Sequence, residues 1–272
     1  MHAATFPVRI FDVDCFGELR SNVLLRWLWQ AASEASGAVG YDLAWYGRQG
    51  TMWIIRRTRG EWLAPAHHGD LVTVRTWVSD VRRVRSQREY EVTSGAALLA
   101  RLATDWVYVD LARGALVQPP QALQQALMPD GLASRPRVPS LAGAAPAAAV
   151  HLTRRVELAD LDTLAHVNNA QYAVYVEQMA WDALAARGWQ LDPRAADGRP
   201  RLVAHDLEYF ASAQYGDELT GAVWVAALAS DGFTTECQLT RAGQRALQAR
   251  SAWRWTGAAL PAALSAALQA LR

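Results

Sequence analysis

The strongest constraint on the fold is an internal duplication. Residues 61–70 (EWLAPAHHGD) match residues 208–217 (EYFASAQYGD) at an offset of 147 (208 − 61). Nearly the same offset relates three further pairs: Trp77 with Trp224, Trp106 with Trp253, and Asp14 with Asp162. Solenoid repeats have periods of about 20 to 50 residues, so this spacing indicates two copies of a whole domain.

Composition favours a two-domain enzyme. The chain has 272 residues, of which 51% are apolar, enough for a core in each copy, and its net charge of +1 does not suggest nucleic acid as a partner. Cys15 and Cys237 lie in different copies and predict neither a disulfide framework nor a metal site. We find no signal-peptide pattern and no apolar run that would span a bilayer, and we therefore expect a cytoplasmic protein.

Hydrophobic periodicity predicts the same order of elements in both copies: one strand, one long helix, four antiparallel strands and a short helix. In the first copy we predict a strand at 5–11, a helix at 23–39 with Asn22 as its candidate cap, strands at 52–62, 71–81, 84–92 and 98–110, and a helix near 120–127. In the second we predict a strand at 151–158, a helix at 170–186, strands at 201–210, 219–228, 233–240 and 246–255, and a helix near 261–271.

One helix against one antiparallel sheet is an α+β arrangement. The expected domains are 1–128 and 150–272, and the Ala- and Pro-rich stretch 129–149 is the natural linker. Two such copies can join through their sheet edges as a pseudo-dimer, which removes an exposed edge from each.

A concentration of polar groups precedes the second long helix. Residues 160–169 (DLDTLAHVNN) place Asp162 and His166 just ahead of Asn168 and Asn169 at the helix entrance. An acid or imidazole can activate water there, while helix N–H groups hold an oxyanion, which suits hydrolysis of an activated carbonyl. Taken singly, Asp162, Asn168 and Asn169 are also ordinary capping or turn residues.

The Asp-x-x-x-His-Val-Asn-Asn-x-x-Tyr string, together with this order of elements, resembles the hotdog fold. The tandem form is similar to the plant and bacterial acyl-acyl-carrier-protein (acyl-ACP) thioesterases, which are related to the 4-hydroxybenzoyl-CoA thioesterase-like proteins. The resemblance covers nearly the whole chain. It implies a long central helix wrapped by an antiparallel sheet in each copy. It also implies that the first copy holds the acyl chain and that Asp162, His166 and Glu208 in the second copy are catalytic.

Two positions depart from that family pattern. Leu164 stands where the family usually has an asparagine. In the first copy, residues 14–17 (DCFG) are more similar to the Asp-x-x-Gly motif of single-domain hotdog acyl-CoA thioesterases. Asp14 and Glu61 are therefore candidates for a second site or the relic of one.

Two further groups of side chains are candidates for substrate binding. Trp27 and Trp53 belong to a tryptophan-rich first copy and are candidates for lining an acyl pocket, although core packing explains each of them equally well. Arg82, Arg83 and Arg85 are candidates for docking the phosphates of CoA or the acidic surface of ACP; the alternative is a solvated face.

These observations predict hydrolysis of a fatty or related acyl thioester of ACP or CoA, without a metal or organic cofactor. A hotdog hydratase or dehydratase and a non-catalytic acyl-thioester-binding protein are the alternatives. The chain is expected to be a monomer or a homodimer of tandem hotdogs.

Overall fold

Two units of similar architecture divide the chain, Met1–Pro139 and Ser140–Arg272. The structure is a computed structural model and describes residues 1–128, 138–141, 143–194 and 198–272. Residues 129–137 and 142 of the expected linker lie outside the described residues. None of the helices in the described ranges is long and apolar enough to cross a membrane.

The first unit is an antiparallel sheet with a long helix on one face. Its elements are β1 (His2–Pro7), α1 (Ser21–Gly37), α2 (Leu43–Gln49), β2 (Thr51–Trp62), β3 (Leu71–Arg82), β4 (Arg85–Ser94), β5 (Ala97–Asp110), β6 (Ala115–Leu116) and α3 (Gln121–Leu127). The strands lie in the order β1-β3-β4-β5-β2, and the short β6 pairs with β5. Helix α1 packs against β1 and β3.

The second unit repeats this plan. Its elements are β7 (Val150–Arg155), a 3-10 turn (Leu158–Asp160), α4 (Asn169–Ala186), β8 (Pro200–Tyr209), β9 (Glu218–Leu228), β10 (Gly232–Arg241), β11 (Gln244–Trp255) and α5 (Ala262–Ala270). The strands lie in the order β7-β9-β10-β11-β8, again antiparallel throughout. Helix α4 packs against β7, β9 and β10.

Helix α4 is buried because its apolar side chains recur at helical spacing. Tyr172, Tyr175, Val176 and Met179 are all at most 3% exposed. Gly221 of β9 allows the close approach, because a Cβ at that position would collide with the Met179 sulfur. The helix therefore lies directly on the sheet, and its entrance is fixed in position.

The predicted order of long helices and strands is confirmed, with local differences. The strand predicted at 151–158 ends at Arg155, and beyond it the Asp160 carboxylate accepts the Glu157 N–H (2.8 Å). The first strand was predicted at 5–11 but ends at Pro7, because the Asp12 carboxylate accepts the Arg9 N–H (2.8 Å) and turns the chain. The predicted cap Asn22 is wrong: it lies inside α1, whose N-cap position is Arg20. Helix α2 was not predicted, although the Asp42 carboxylate caps it by accepting the Trp45 N–H.

Candidate active site

A tight turn ahead of α4 holds Asp162. The Asp162 N–H donates to the carbonyl of His166 (2.8 Å), and Leu161 pairs with Val167 across the turn. One carboxylate oxygen, Oδ1, accepts the N–H of Leu164 (2.9 Å) and, at a longer 3.4 Å, that of His166. The backbone thus orients the carboxylate through one oxygen. Within the described ranges the second oxygen has no hydrogen-bond partner.

Backbone strain accompanies this turn. Ala165 has φ = 57°, in the left-handed region that non-glycine residues disfavour. Its N–H donates to the carbonyl of Asp162 (3.0 Å), which closes the turn. The strain is therefore offset by the hydrogen bonds that fix the carboxylate.

The helix entrance is anchored beneath the turn. Asn168 is the N-cap, and its side-chain oxygen accepts the Ala170 N–H at 2.9 Å. Its own N–H donates to the carbonyl of Asp160, a buried residue whose carboxylate accepts the Tyr175 hydroxyl. The Asn169 N–H, at the first position of α4, is left without a described acceptor. Such an N–H suits a developing oxyanion.

Residues that follow β8 close the other side of the turn. The Val167 N–H donates to the carbonyl of Ala213 (2.9 Å), and the Ala213 N–H donates to the Tyr172 hydroxyl (3.2 Å). Burial raises the pKa of Tyr172 to about 12, so the phenol is neutral at physiological pH. Sequence reasoning quoted Tyr172 only as part of the motif and missed this contact, which depends on pairing between distant segments.

Glu208 lies on a different face from the helix entrance. Its neighbour Tyr209 points to α4, where its hydroxyl donates to the carbonyl of Asn169 (3.2 Å). Since side chains alternate along a strand, Glu208 points to the opposite face of β8. There the Ser140 hydroxyl lies 2.8 and 2.7 Å from its two oxygens, and the Leu141 N–H donates to it at 2.9 Å.

No described hydrogen bond or ion pair joins Glu208 to Asp162 or His166. The structure therefore brings Asp162, His166, Asn168 and Asn169 together at one helix entrance, and Glu208 instead contacts Ser140 and Leu141. The catalytic role expected for Glu208 stays a prediction.

The first unit contains a counterpart of the Asp162 turn. The Asp14 N–H donates to the carbonyl of Glu18 (2.8 Å), and its Oδ1 accepts the N–H groups of Phe16 (2.8 Å) and Glu18 (3.1 Å). Cys15, within this turn, is an exposed free thiol. Glu61, the proposed companion of Asp14, is an exposed residue of β2.

A pocket opens in the first unit between α1, α2 and the sheet. It encloses about 580 Å³, part of it open to solvent. Most of its lining is aromatic or aliphatic, including Trp29, Trp53 and Trp106. The candidate Trp53 therefore lines it. Trp27 is not among the lining residues and stacks on Phe6, with ring centroids 5.1 Å apart.

The arginine candidates lie at the connection between β3 and β4. Arg82, Arg83 and Arg85 are all exposed, and Arg82 pairs with Asp80 (3.1 Å). Arg88, three residues after Arg85 on β4, is instead buried and lines the pocket. Across the described residues, no cluster of three His, Cys, Asp or Glu side chains is arranged to hold a metal ion.

Family models match both halves of the chain. Residues 1–121 match the acyl-ACP thioesterase N-terminal domain, and residues 156–270 match the thioesterase-like superfamily. No curated protein matches the chain in sequence.

Solved structures share the fold across almost the full length. A protein described as an oleoyl thioesterase from Lactobacillus plantarum has a TM-score of 0.82 at 18% identity, covering 96% of each chain. The 12:0-ACP thioesterase from Umbellularia californica has a TM-score of 0.77 at 18% identity, covering 93% of this chain and 94% of its own. An acyl-ACP thioesterase from Bacteroides thetaiotaomicron has a TM-score of 0.73 at 17% identity, covering 93% and 97%. The chain therefore joins an acyl-ACP thioesterase N-terminal domain to a thioesterase-like domain, shares the tandem hotdog fold of these structures and is a thioester hydrolase.

Proposed function

We propose that the second unit carries the chemistry and that Asp162 is the general base. The observation that carries this proposal is the Asp162 turn, which fixes one carboxylate oxygen on backbone N–H groups beside the entrance of α4. The other oxygen can then accept a proton from water. General bases held in this way accelerate reactions by roughly 10² to 10⁴-fold.

In the proposed reaction, the oxygen of water attacks the thioester carbonyl carbon while Asp162 takes the proton. The Asn169 N–H and the His166 imidazole stabilise the resulting oxyanion. The tetrahedral intermediate then collapses, the carbon–sulfur bond breaks, and the departing thiolate receives the proton that Asp162 holds. The products are a free acid and a thiol.

The same carboxylate supports a second route. Direct attack of Asp162 on the carbonyl carbon would expel the thiolate and leave a mixed anhydride, which water then hydrolyses. A single turnover in ¹⁸O-labelled water tests for the anhydride. Unlabelled acid from the first turnover requires an anhydride that water opens at the Asp162 carboxyl carbon, because the new oxygen of the acid then comes from Asp162. Labelled acid excludes that path and is the result expected of the general-base route.

For Glu208 we propose a structural role instead of a catalytic one. Its carboxylate contacts Ser140 and Leu141, so it holds these two residues on β8. Leu164, at the position where the family resemblance implies an asparagine, supplies a backbone N–H to Asp162 but no amide side chain. In this proposal, turnover therefore depends on Asp162, His166 and the backbone.

The first unit, in the same proposal, holds the acyl group in its aromatic pocket, and the carrier is ACP. The pocket walls are apolar enough for an acyl chain. Arg82, Arg83 and Arg85 are exposed at one hairpin and offer positive charge to an acidic carrier.

The test is thiol release from a panel of acyl-ACP and acyl-CoA thioesters by the wild type and by Asp162→Asn. Turnover that disappears in Asp162→Asn supports the second unit as the centre. Turnover that survives in Asp162→Asn and disappears in Asp14→Asn would move the centre to the first unit.

A further inference from the structure

Arg88 differs from Arg82, Arg83 and Arg85 because it is buried, with only 7% of its surface exposed. It lies on β4, paired with Val78 of β3 and Thr104 of β5, and its side chain lines the pocket of the first unit. Its described side-chain contact is from Nη1 to the Thr76 hydroxyl at 3.3 Å. Within the described ranges, no carboxylate pairs with it.

A buried cation without a counter-ion opposes folding. Burial lowers the pKa of the Arg88 guanidinium, because the charged form has lost its water. Most of its five N–H donors have no described acceptor. Buried charges in proteins are normally paired, so an unpaired one that lines a pocket indicates a site for an anion.

The described lining of the pocket offers further hydrogen-bonding groups. The Tyr46 and Ser36 hydroxyls, both in the lining, are 3.0 Å apart. Among the described residues, none accepts a hydrogen bond from the buried indole N–H of Trp53. None of the described lining residues is acidic. Aromatic walls with a cation and an unpaired donor suit an apolar chain that ends in an anionic group.

The second unit provides an internal control for this interpretation. Thr235 occupies the position of Arg88 there, at the offset of 147 (235 − 88), and pairs with Val225 and Ser251 in the same register. Its hydroxyl accepts the Trp253 indole N–H at 3.0 Å. The fold is therefore built with a neutral, hydrogen-bonded side chain at this position, and a cation is not needed for the sheet.

We infer that the pocket of the first unit selects an acyl group whose distal end carries a carboxylate, which pairs with Arg88. The placement of the acyl group in this unit rests on the proposed function; the anion site rests on the pocket itself. An unsubstituted fatty acyl group would leave the guanidinium unpaired beside a methyl group. Such a thioester is therefore the poorer substrate.

Two pantetheine thioesters of equal chain length, octanoyl and 7-carboxyheptanoyl, test the selectivity. The wild type should hydrolyse the carboxylated substrate with a kcat/KM at least about tenfold higher, and Arg88→Met should lower that value by about 100-fold, as expected for loss of a charged hydrogen-bonded pair. Arg88→Met should hydrolyse the octanoyl substrate as fast as the wild type or faster. Arg75→Met, an exposed arginine on the neighbouring strand β3, is the matched control and should behave as wild type.

A binding measurement separates this inference from the proposed function. Calorimetric titration with monomethyl suberate should show binding to the wild type and none to Arg88→Met, whose Tm should be unchanged or higher because an uncompensated buried charge has gone. If this pattern holds while no thioester is hydrolysed, the pocket assignment stands and the proposed function fails. If octanoyl turnover requires Asp162 but the carboxylated substrate is neither preferred nor bound, the inference is overturned and the proposed function stands. A lower Tm with equal losses on both substrates would make Arg88 a structural residue and also overturn it.

Discussion

The turns that hold Asp14 and Asp162 have the same backbone hydrogen bonds and different side chains. In both turns, the aspartate N–H donates at 2.8 Å to the carbonyl of the residue four positions later in the chain. The aspartate Oδ1 accepts the N–H groups of the residues two and four positions later. The residue four positions on is Glu18 in the first unit and His166 in the second. Backbone geometry therefore does not distinguish the two turns, and the adjacent side chain does.

The helix entrances differ in the same way. Asn168 caps α4 with its side chain, whereas Arg20 at the corresponding place provides no side-chain cap for α1 and donates its Nε–H to the carbonyl of Val13 (2.9 Å). An imidazole exchanges protons near neutral pH, while a second carboxylate beside Asp14 adds negative charge where an oxyanion would form. A duplicated domain can therefore retain the aspartate turn in both copies while an imidazole lies beside the aspartate in only one of them.

The largest effect should come from the two aspartates. We expect Asp162→Asn to lower kcat by about 10³-fold or more, because an amide cannot take the proton of water. Asp14→Asn should leave kcat within about twofold of the wild-type value, since general-base catalysis is assigned to the Asp162 turn. Steady-state thiol release measures both variants. Each amide oxygen still accepts the backbone N–H groups, so Tm is expected to stay unchanged; equal losses of kcat would refute the distinction.

A smaller loss of kcat should follow when the residue four positions after the aspartate is substituted. We expect His166→Gln to lower kcat by about 10²-fold through loss of proton transfer or oxyanion stabilisation, and Glu18→Gln to change it little. The pH dependence of kcat in both variants checks this assignment. A wild-type kcat in His166→Gln would show that the imidazole takes no part in the mechanism.

Glu208 and Glu61 extend the comparison to the strands. We expect Glu208→Gln to reduce kcat by less than about tenfold, the low end of general-base contributions, and to speed hydrogen exchange at the Leu141 N–H. Glu61→Gln, at the matching exposed position, should do neither. A fall in kcat of about 10²-fold or more for Glu208→Gln, with normal exchange at Leu141, would restore the catalytic role that the sequence predicts.

The smallest effect concerns backbone strain at matched positions. Ala165 has φ = 57° and Gly17, in the other turn, has φ = 78°. We expect Ala165→Gly to raise the free energy of unfolding by about 1 kcal/mol and Gly17→Ala to lower it by a similar amount, because only glycine adopts this region without a Cβ clash. Urea unfolding monitored by tryptophan fluorescence measures both. Shifts of the same sign would show that the two turns carry different strain.

Much of the fold could be predicted because its signals are local. Periodic apolar residues located both long helices and the long strands that pack on them to within a few residues. The predicted elements are wrong where a side chain closes a turn. Asp12 ends the first strand earlier than predicted. Asp42 begins a short helix that its neighbouring residues do not suggest. At the site, the motif placed Asp162, His166 and Asn168 together because they are adjacent in the chain.

The sequence by itself determined the duplication, the α+β class of each copy and the turn that carries Asp162, since periodicity and short-range hydrogen bonding need only neighbouring residues. Tertiary structure alone decided the environments of Arg88 and Glu208. Arg88 lies only three residues after the exposed Arg85, yet strands and helices distant in sequence enclose it. Glu208 is one position from a residue that faces α4, yet it contacts Ser140 and Leu141 instead. Alternation along a strand fixes which face a side chain occupies, but the long-range packing of other elements determines what it meets there.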